Sequence, residues 1–443
     1  MRLVVVDKHH PGDQEISDDD PAQFEGVYFD HVRYGQQKNR SLTVANTGRV
    51  TAKVSLVERP TGAGQTAGIA PTWLTLRMNH RLVGTSESGP ENTQTLEPGD
   101  VCNIDLHLRI LDAHLVRALN DGTKQLDDIL VLRVENGRDH FIPVRGKWLE
   151  SSLGRSIDKL IRIPEGGIRK LQRQRPDDSK ARAMDEELPV KWSAPRELFR
   201  LTEAAENLTE ACIAEWSMTA SDQSPPWIIA AGWPFSAESW SALDDAERHD
   251  GFASISEALD TNDSIEGNLP AEYTKSQRLG IVASFFMSFL NAFPDGIVTE
   301  TLWQEVEKAM ISFEHDKKPA PEEEQRTSLQ EILSQSPAHS ISFILVTTML
   351  DRIVREVVST SDQNPNSKTV QLSGLLGRRG PWSKKSLSKD PATAFRQSIS
   401  LSQAKTFAEA MIRAPVPTKD KDKAILEERK IRFVDLFLPK DLA

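Results

Sequence analysis

The chain is short of cysteine, of long apolar runs and of positive charge, and each shortage removes a class of function. Cys102 and Cys212 are the two cysteines among 443 residues. They stand too far apart for a metal knuckle and are too few for a disulfide framework, so a reducing, cytoplasmic setting is expected. No stretch approaches the run of about 18 apolar residues that a membrane span needs. The opening Met1 to Asp7 is charged early and is not followed by a small-residue cleavage site, so no signal peptide is expected. Lys and Arg total 54 against 65 Asp and Glu, and the resulting charge of −11 argues against a general nucleic-acid binder.

Catalytic motifs are missing too. The chain contains no G-x-x-x-x-G-K-[ST] phosphate loop, no G-x-G-x-x-G after a strand, no G-x-S-x-G elbow and no H-E-x-x-H pair. His9-His10, Asp18-Asp19-Asp20 and Glu322-Glu323-Glu324 read as solvated runs, because metal and acid–base chemistry need such groups fixed against others. No cofactor and no metal are expected.

What is present is written in two periods. Residues 24–150 read as short strands. Val27-Tyr28-Phe29, Ser41 to Ala45, Ala52 to Leu56 and Trp73 to Leu76 are divided by turns such as Asn46-Thr47-Gly48 and Pro98-Gly99. Ile104, Leu106, Leu108 and Ile110 alternate with polar residues. Asp128–Val134 and Asp139–Val144 flank Asn136-Gly137, the signature of a hairpin, and Pro143 marks the last strand as an edge or a bulge. Seven or so strands of this kind predict an immunoglobulin-like β-sandwich.

Charged residues without period follow. Arg169, Lys170, Arg173 and Arg175 precede Asp185-Glu186-Glu187, so residues 151–189 are expected to be an exit helix and a mobile tether with a solvated basic face. From Ser193 the period becomes 3.6. Leu198, Leu201, Ala205, Leu208 and Cys212 mark one helical face, and further helices are legible to about residue 438. Residues 190–443 are therefore expected to be all-helical, with a disordered insertion at about 359–393 that carries Trp382 among basic residues.

Phe24 to Gly35, followed by Leu42 to Gly48, resembles the opening of an ASH domain. Leu96-Glu97-Pro98-Gly99 and Asp127 to Phe141 resemble the version in type II inositol polyphosphate 5-phosphatases, the Lowe-syndrome phosphatase group. Leu153-Gly154-Arg155-Ser156 and Leu160 match the exit from that domain, and Ala283 to Pro294 is similar to a helix of the RhoGAP-like domain that follows it. The resemblance implies a multi-domain β plus α chain: a tail (1–23), an ASH sandwich (24–150), the tether and a RhoGAP-like domain.

The same resemblance implies what the chain does not do. The family's W-x-G-D-x-N and P-x-W-C-D-R phosphatase motifs are absent. A working RhoGAP presents an arginine finger, worth about 10³–10⁵ in rate. Here the finger position falls on Ser236 or, in another register, Asp244, and Arg248 is the remaining candidate. The supporting Lys and Arg fall at Met287 and Asn291, and no Asn stands around Leu401-Ser402. Loss of these positions together implies a domain that binds a GTPase without accelerating hydrolysis.

As partners the resemblance implies Rab-type GTPases through the last ASH strand (Phe141, Ile142, Val144), Rho-type GTPases, and endocytic adaptor peptides. Clathrin is added through Leu160-Ile161-Arg162-Ile163, the nearest fragment to a clathrin-type box, and Trp382 is a further contact candidate. The expected setting is cytoplasmic, peripheral on endosomal or Golgi membranes through partners. Two alternatives stand: an active Rho GTPase-activating protein using Arg248, and a ciliary or cytoskeletal structural ASH protein.

Overall fold

The computed structural model describes residues 2–4, 26–59, 68–84, 92–174, 190, 192–219, 225–240, 243–315, 320–363 and 391–438. The chain divides into two units, Met1–Ser151 and Ser152–Ala443.

In the first unit, alternation in sequence becomes alternation in burial. The strands are β1 (Arg2–Val4), β2 (Val27–Val32), β3 (Lys38–Ala45), β4 (Ala52–Val57) and β5 (Leu74–Met78). They continue with β6 (Arg81–Leu82), β7 (Thr93–Leu96), β8 (Val101–Leu108), β9 (Leu126–Val134) and β10 (Asp139–Trp148). Every second residue of β3 and of β8 is buried, as expected for strands with one face on a core. One sheet runs β1-β3-β8-β5-β6 and the other β2-β10-β9-β4-β7. Phe29, Val44, Val54, Leu56, Leu106, Leu130, Leu132 and Val144 are wholly buried, and they form the core of the expected two-sheet sandwich. At the β9–β10 hairpin Asn136 takes a left-handed φ of 57°, which Asn tolerates.

Of the two forms expected for the last strand, β10 takes the second: it carries a bulge and is not an edge, because it lies between β9 and a parallel β2. Pro143 nevertheless meets only β9, since pairing with β2 begins at Val144, and the register slips between Arg145 and Lys147. A helix absent from the sequence reading, α1 (Ala113–Asn120), also joins β8 to β9. Asp112 caps it by accepting from the His114 and Leu115 amides at 3.0 and 3.3 Å, and Val116 and Leu119 are buried.

The second unit is helical, as the change of period predicts. Its helices begin with α2 (Ile157–Leu160), α3 (Gly167–Gln174), α4 (Arg196–Thr219), α5 (Pro226–Ile229), α6 (Asp245–Thr261) and α7 (Ile265–Asn268). They end with α8 (Lys275–Ala292), α9 (Glu300–His315), α10 (Glu322–Leu333), α11 (Pro337–Gln363), α12 (Pro391–Met411) and α13 (Asp420–Leu436). α8 starts at a Thr274–Gln277 capping box and is apolar nearly all round, so it serves as the central helix. Its Phe286 meets Phe235 and Phe407, and its Phe285 meets Phe252 and Phe289.

α2 takes the place of the exit helix expected within 151–189, and the tether expected after it is corrected over its first part. Residues 152–174 belong to the helical unit, and α3 buries Ile168, Arg169 and Leu171. The insertion expected at 359–393 is narrower, because α11 continues to Gln363 and α12 begins at Pro391. The remainder of both segments lies outside the described residues.

Candidate partner-binding sites

Successive side chains of a strand point to opposite faces, so Phe141, Ile142 and Val144 cannot act together. Ile142 and Val144 are 3% and 0% exposed and belong to the sandwich core, which corrects their expected role as contacts. Phe141 is 61% exposed and points away from that core. Opposite it in register on β9 is Val131, and the next outward pair is Pro143 with Ile129, itself 39% exposed.

Charged pairs close this apolar strip at each end. Arg133 donates to Asp139 at 2.9 Å, and Arg145 donates to Asp127 at 2.9 Å. The hydrogen bond from Arg133 holds the Asp139 carboxyl below its usual range. An aromatic side chain at the centre and paired charges at the rim is the composition of a protein-binding patch.

The fragment read as a clathrin-type box does not present itself as a peptide. Leu160, Ile161 and Ile163 are at most 6% exposed, because their apolar side chains form part of the helical core. Trp382 lies outside the described residues.

The two expected finger positions, Ser236 and Asp244, lie in different surroundings. The turn 231–236 is pinned to α8 and α12. Phe235 is buried with its ring 5.8 Å from Phe286 and 4.8 Å from Phe407, and Gln403 Nε2 donates to the Trp233 carbonyl at 2.6 Å. The turn lies directly against α12, since a Cβ added at Gly232 would stand at ordinary contact distance from Ser402 Oγ and Thr406 Oγ1, 3.4 and 3.5 Å. Ser236 ends this turn, with its hydroxyl 2.8 Å from that of Ser239. The finger register at Ser236 and the Leu401-Ser402 position therefore meet at one turn–helix junction.

Asp244 and Arg248 do other work. Asp244 caps α6, accepting from the Glu247 amide at 2.7 Å. Arg248, the remaining finger candidate, lies inside the first turns of α6 and pairs with Asp245 there. Met287 is buried and Asn291 is exposed.

One cluster escaped the sequence reading. Asp260 on α6 is fully buried and accepts from the Ser152 amide and hydroxyl, both at 2.7 Å, and from Arg169 Nη2 at 3.3 Å. Arg169 also donates to Glu257 at 2.7 Å. Burial drives the Asp260 carboxyl upward, and the Arg169 guanidinium and the Ser152 donors oppose it. Arg169 thus anchors a segment rather than facing solvent, and nothing in a run of basic residues distinguishes the buried one.

Residues 23–148 match the family model described as inositol polyphosphate 5-phosphatase OCRL-like, ASH domain. Type II inositol 1,4,5-trisphosphate 5-phosphatase of Mus musculus is 28% identical over 137 residues, which are 31% of this chain and 12% of the mouse protein. The chain therefore spans a small part of that relative's length, and the matched family model covers the sandwich described above. Among the described residues no helix is long and apolar enough to cross a membrane.

Proposed function

We propose that this chain is a binding protein of membrane trafficking, with its sandwich docking a Rab-type small GTPase on the outward β9–β10 face. The observation that carries the reading is Phe141, an aromatic side chain 61% exposed at the centre of an apolar strip with charged pairs at its ends. The match of residues 23–148 to an OCRL-like ASH domain supports the same reading. The helical unit is RhoGAP-like in this proposal and engages a Rho-type GTPase without accelerating hydrolysis, since the turn that meets α12 ends in Ser236 and Arg248 is paired within α6. Recruitment to endosomal or Golgi membranes runs through such partners.

Biolayer interferometry of the full chain against GTP- and GDP-loaded Rab proteins tests the first part. Nucleotide-dependent binding that Phe141→Ala weakens by at least tenfold is expected. Binding of no Rab protein in either nucleotide state refutes it. Single-turnover GTP hydrolysis by Rho, Rac and Cdc proteins tests the second part, and acceleration that is lost in Arg248→Ala would overturn it.

A further inference from the structure

Outside these surfaces, Asp158, Asp295 and His339 each bring one ligand atom to a common point, and all three atoms lie within 4.8 Å of one another. They come from distant parts of the helical unit: α2, the α8–α9 connection and the first turn of α11. We propose that they bind one divalent transition-metal ion, zinc(II) in the first place, and that the ion cross-links these three segments.

The histidine is arranged as a ligand. His339 has a side chain only 3% exposed, and its Nδ1 lies 2.8 Å from the Ile297 carbonyl oxygen. A carbonyl can only accept, so Nδ1 carries the proton and Nε2 presents a lone pair. Holding the non-ligating nitrogen on a carbonyl is the usual way a metal-binding imidazole is oriented. Nε2 faces Asp295 Oδ2 at 4.0 Å, beyond hydrogen-bond reach. The other carboxylate oxygen, Oδ1, is buried and has no hydrogen-bond partner. A buried imidazole nitrogen thus faces a carboxylate whose side chain is 30% exposed and whose second oxygen is buried without a partner.

Asp295 is also rigidly placed. The Ile297 and Val298 amides donate to the Met411 carbonyl at 2.8 and 2.9 Å, and the Arg413 amide returns a bond to Val298 at 3.0 Å. Gly296 has a φ of 71° and no room for a Cβ, which would meet the Met411 oxygen at 2.8 Å.

One imidazole nitrogen with two carboxylate oxygens suits zinc, manganese, iron or cobalt, whereas calcium and magnesium favour all-oxygen sets. Zinc–ligand bonds of about 2.0–2.2 Å place tetrahedral donors roughly 3.4 Å apart, so small side-chain movements complete the site. Two carboxylates neutralise the ion, and the fourth position is left for water.

The test uses the full chain, stripped with a chelator and titrated with zinc chloride by calorimetry and thermal shift. One ion per chain, micromolar or tighter, with a rise in Tm is expected, together with a visible d–d spectrum for cobalt(II) and no response to an equal concentration of magnesium. Asp158→Asn, an exposed substitution that leaves the core intact, should weaken zinc at least tenfold, and His339→Gln should abolish it. His9→Ala/His10→Ala should have no effect. Absence of zinc binding at 100-fold excess, unchanged affinity in Asp158→Asn, or loss of binding in the His9/His10 variant would overturn the assignment.

Discussion

Replacing Gly167 by alanine should prise the segment 152–174 from the helical unit. Gly167 has a φ of 76°, and a Cβ added there would fall on the carbonyl of Asp260, 2.7 Å from its carbon and closer still to its oxygen. The left-handed conformation alone costs an alanine about 1 kcal/mol. The collision is with backbone, so α3 must lift from α6. Lifting exposes Ile168 and Leu171, now 1% and 8% exposed and each worth about 1.5–3 kcal/mol when buried. It also leaves Asp260 without its Arg169 partner. Losing half of the apolar burial adds about 2 kcal/mol, for a total of about 3 kcal/mol.

The neighbouring Gly166→Ala separates the two effects. Its φ is 98°, but its Cβ would meet only the flexible Lys170 side chain at 2.6 Å, so about 1 kcal/mol is expected. Urea unfolding of the full chain measures the difference, and trypsin cleavage after Arg169 and Lys170 reports detachment directly. Equal losses in the two variants, or a Gly167→Ala protein as protease-resistant as the parent, would refute the view that this segment is built into the helical core.

Three further outcomes follow from the sandwich and the thiols. Ile142→Ala should cost about 2–5 kcal/mol in denaturant unfolding, because it empties a buried site, whereas Phe141→Ala should cost far less and act on partner binding. Asn120→Ala should lower stability by about 2–4 kcal/mol, read as a loss of Tm, since Asn120 accepts from Trp148 Nε1 and the Ser151 amide and donates to the Ser151 carbonyl at 3.0–3.1 Å. Burial pushes the Cys102 and Cys212 thiols up to about 11 and about 12, so a disulfide reagent at pH 8 should react with them only on unfolding. Folded thiols hold their protons more tightly than unfolded ones, so their share of stability is intact below pH 9 and declines as pH rises toward 11–12.

The legible parts of the fold were those whose periodicity one buried face imposes. The alternation of β3 and β8, the Asn136-Gly137 turn and the apolar surface of α8 can be read without coordinates, since each repeats over several residues. α1 and α3 were missed because eight-residue helices offer barely two turns of pattern. Asp112 followed by Val116 and Leu119 was the available signal for the first. For the second, its charges concealed Ile168 and Leu171.

The outward face of β10 was legible in part. Phe141-Ile142-Pro143-Val144 is apolar throughout, so local sequence assigns no residue to either side of the strand. Register against β9 turns Phe141 outward and Ile142 inward. The place of the turn that ends in Ser236 likewise rests on packing, because Phe235 lies in the α8–α12 core and Gln403 holds the Trp233 carbonyl.

By itself the sequence determined the two-part plan, β then α, and the resemblance of the first part to an ASH domain, because periodicity and turn chemistry are local and repeat. Tertiary structure alone decided which charges are buried, which face of β10 meets solvent, and that Asp158, Asp295 and His339 converge. These depend on how elements pack and on contacts between residues far apart in the chain, such as Arg169 with Asp260 and Asp158 with Asp295, and no local pattern encodes such distances.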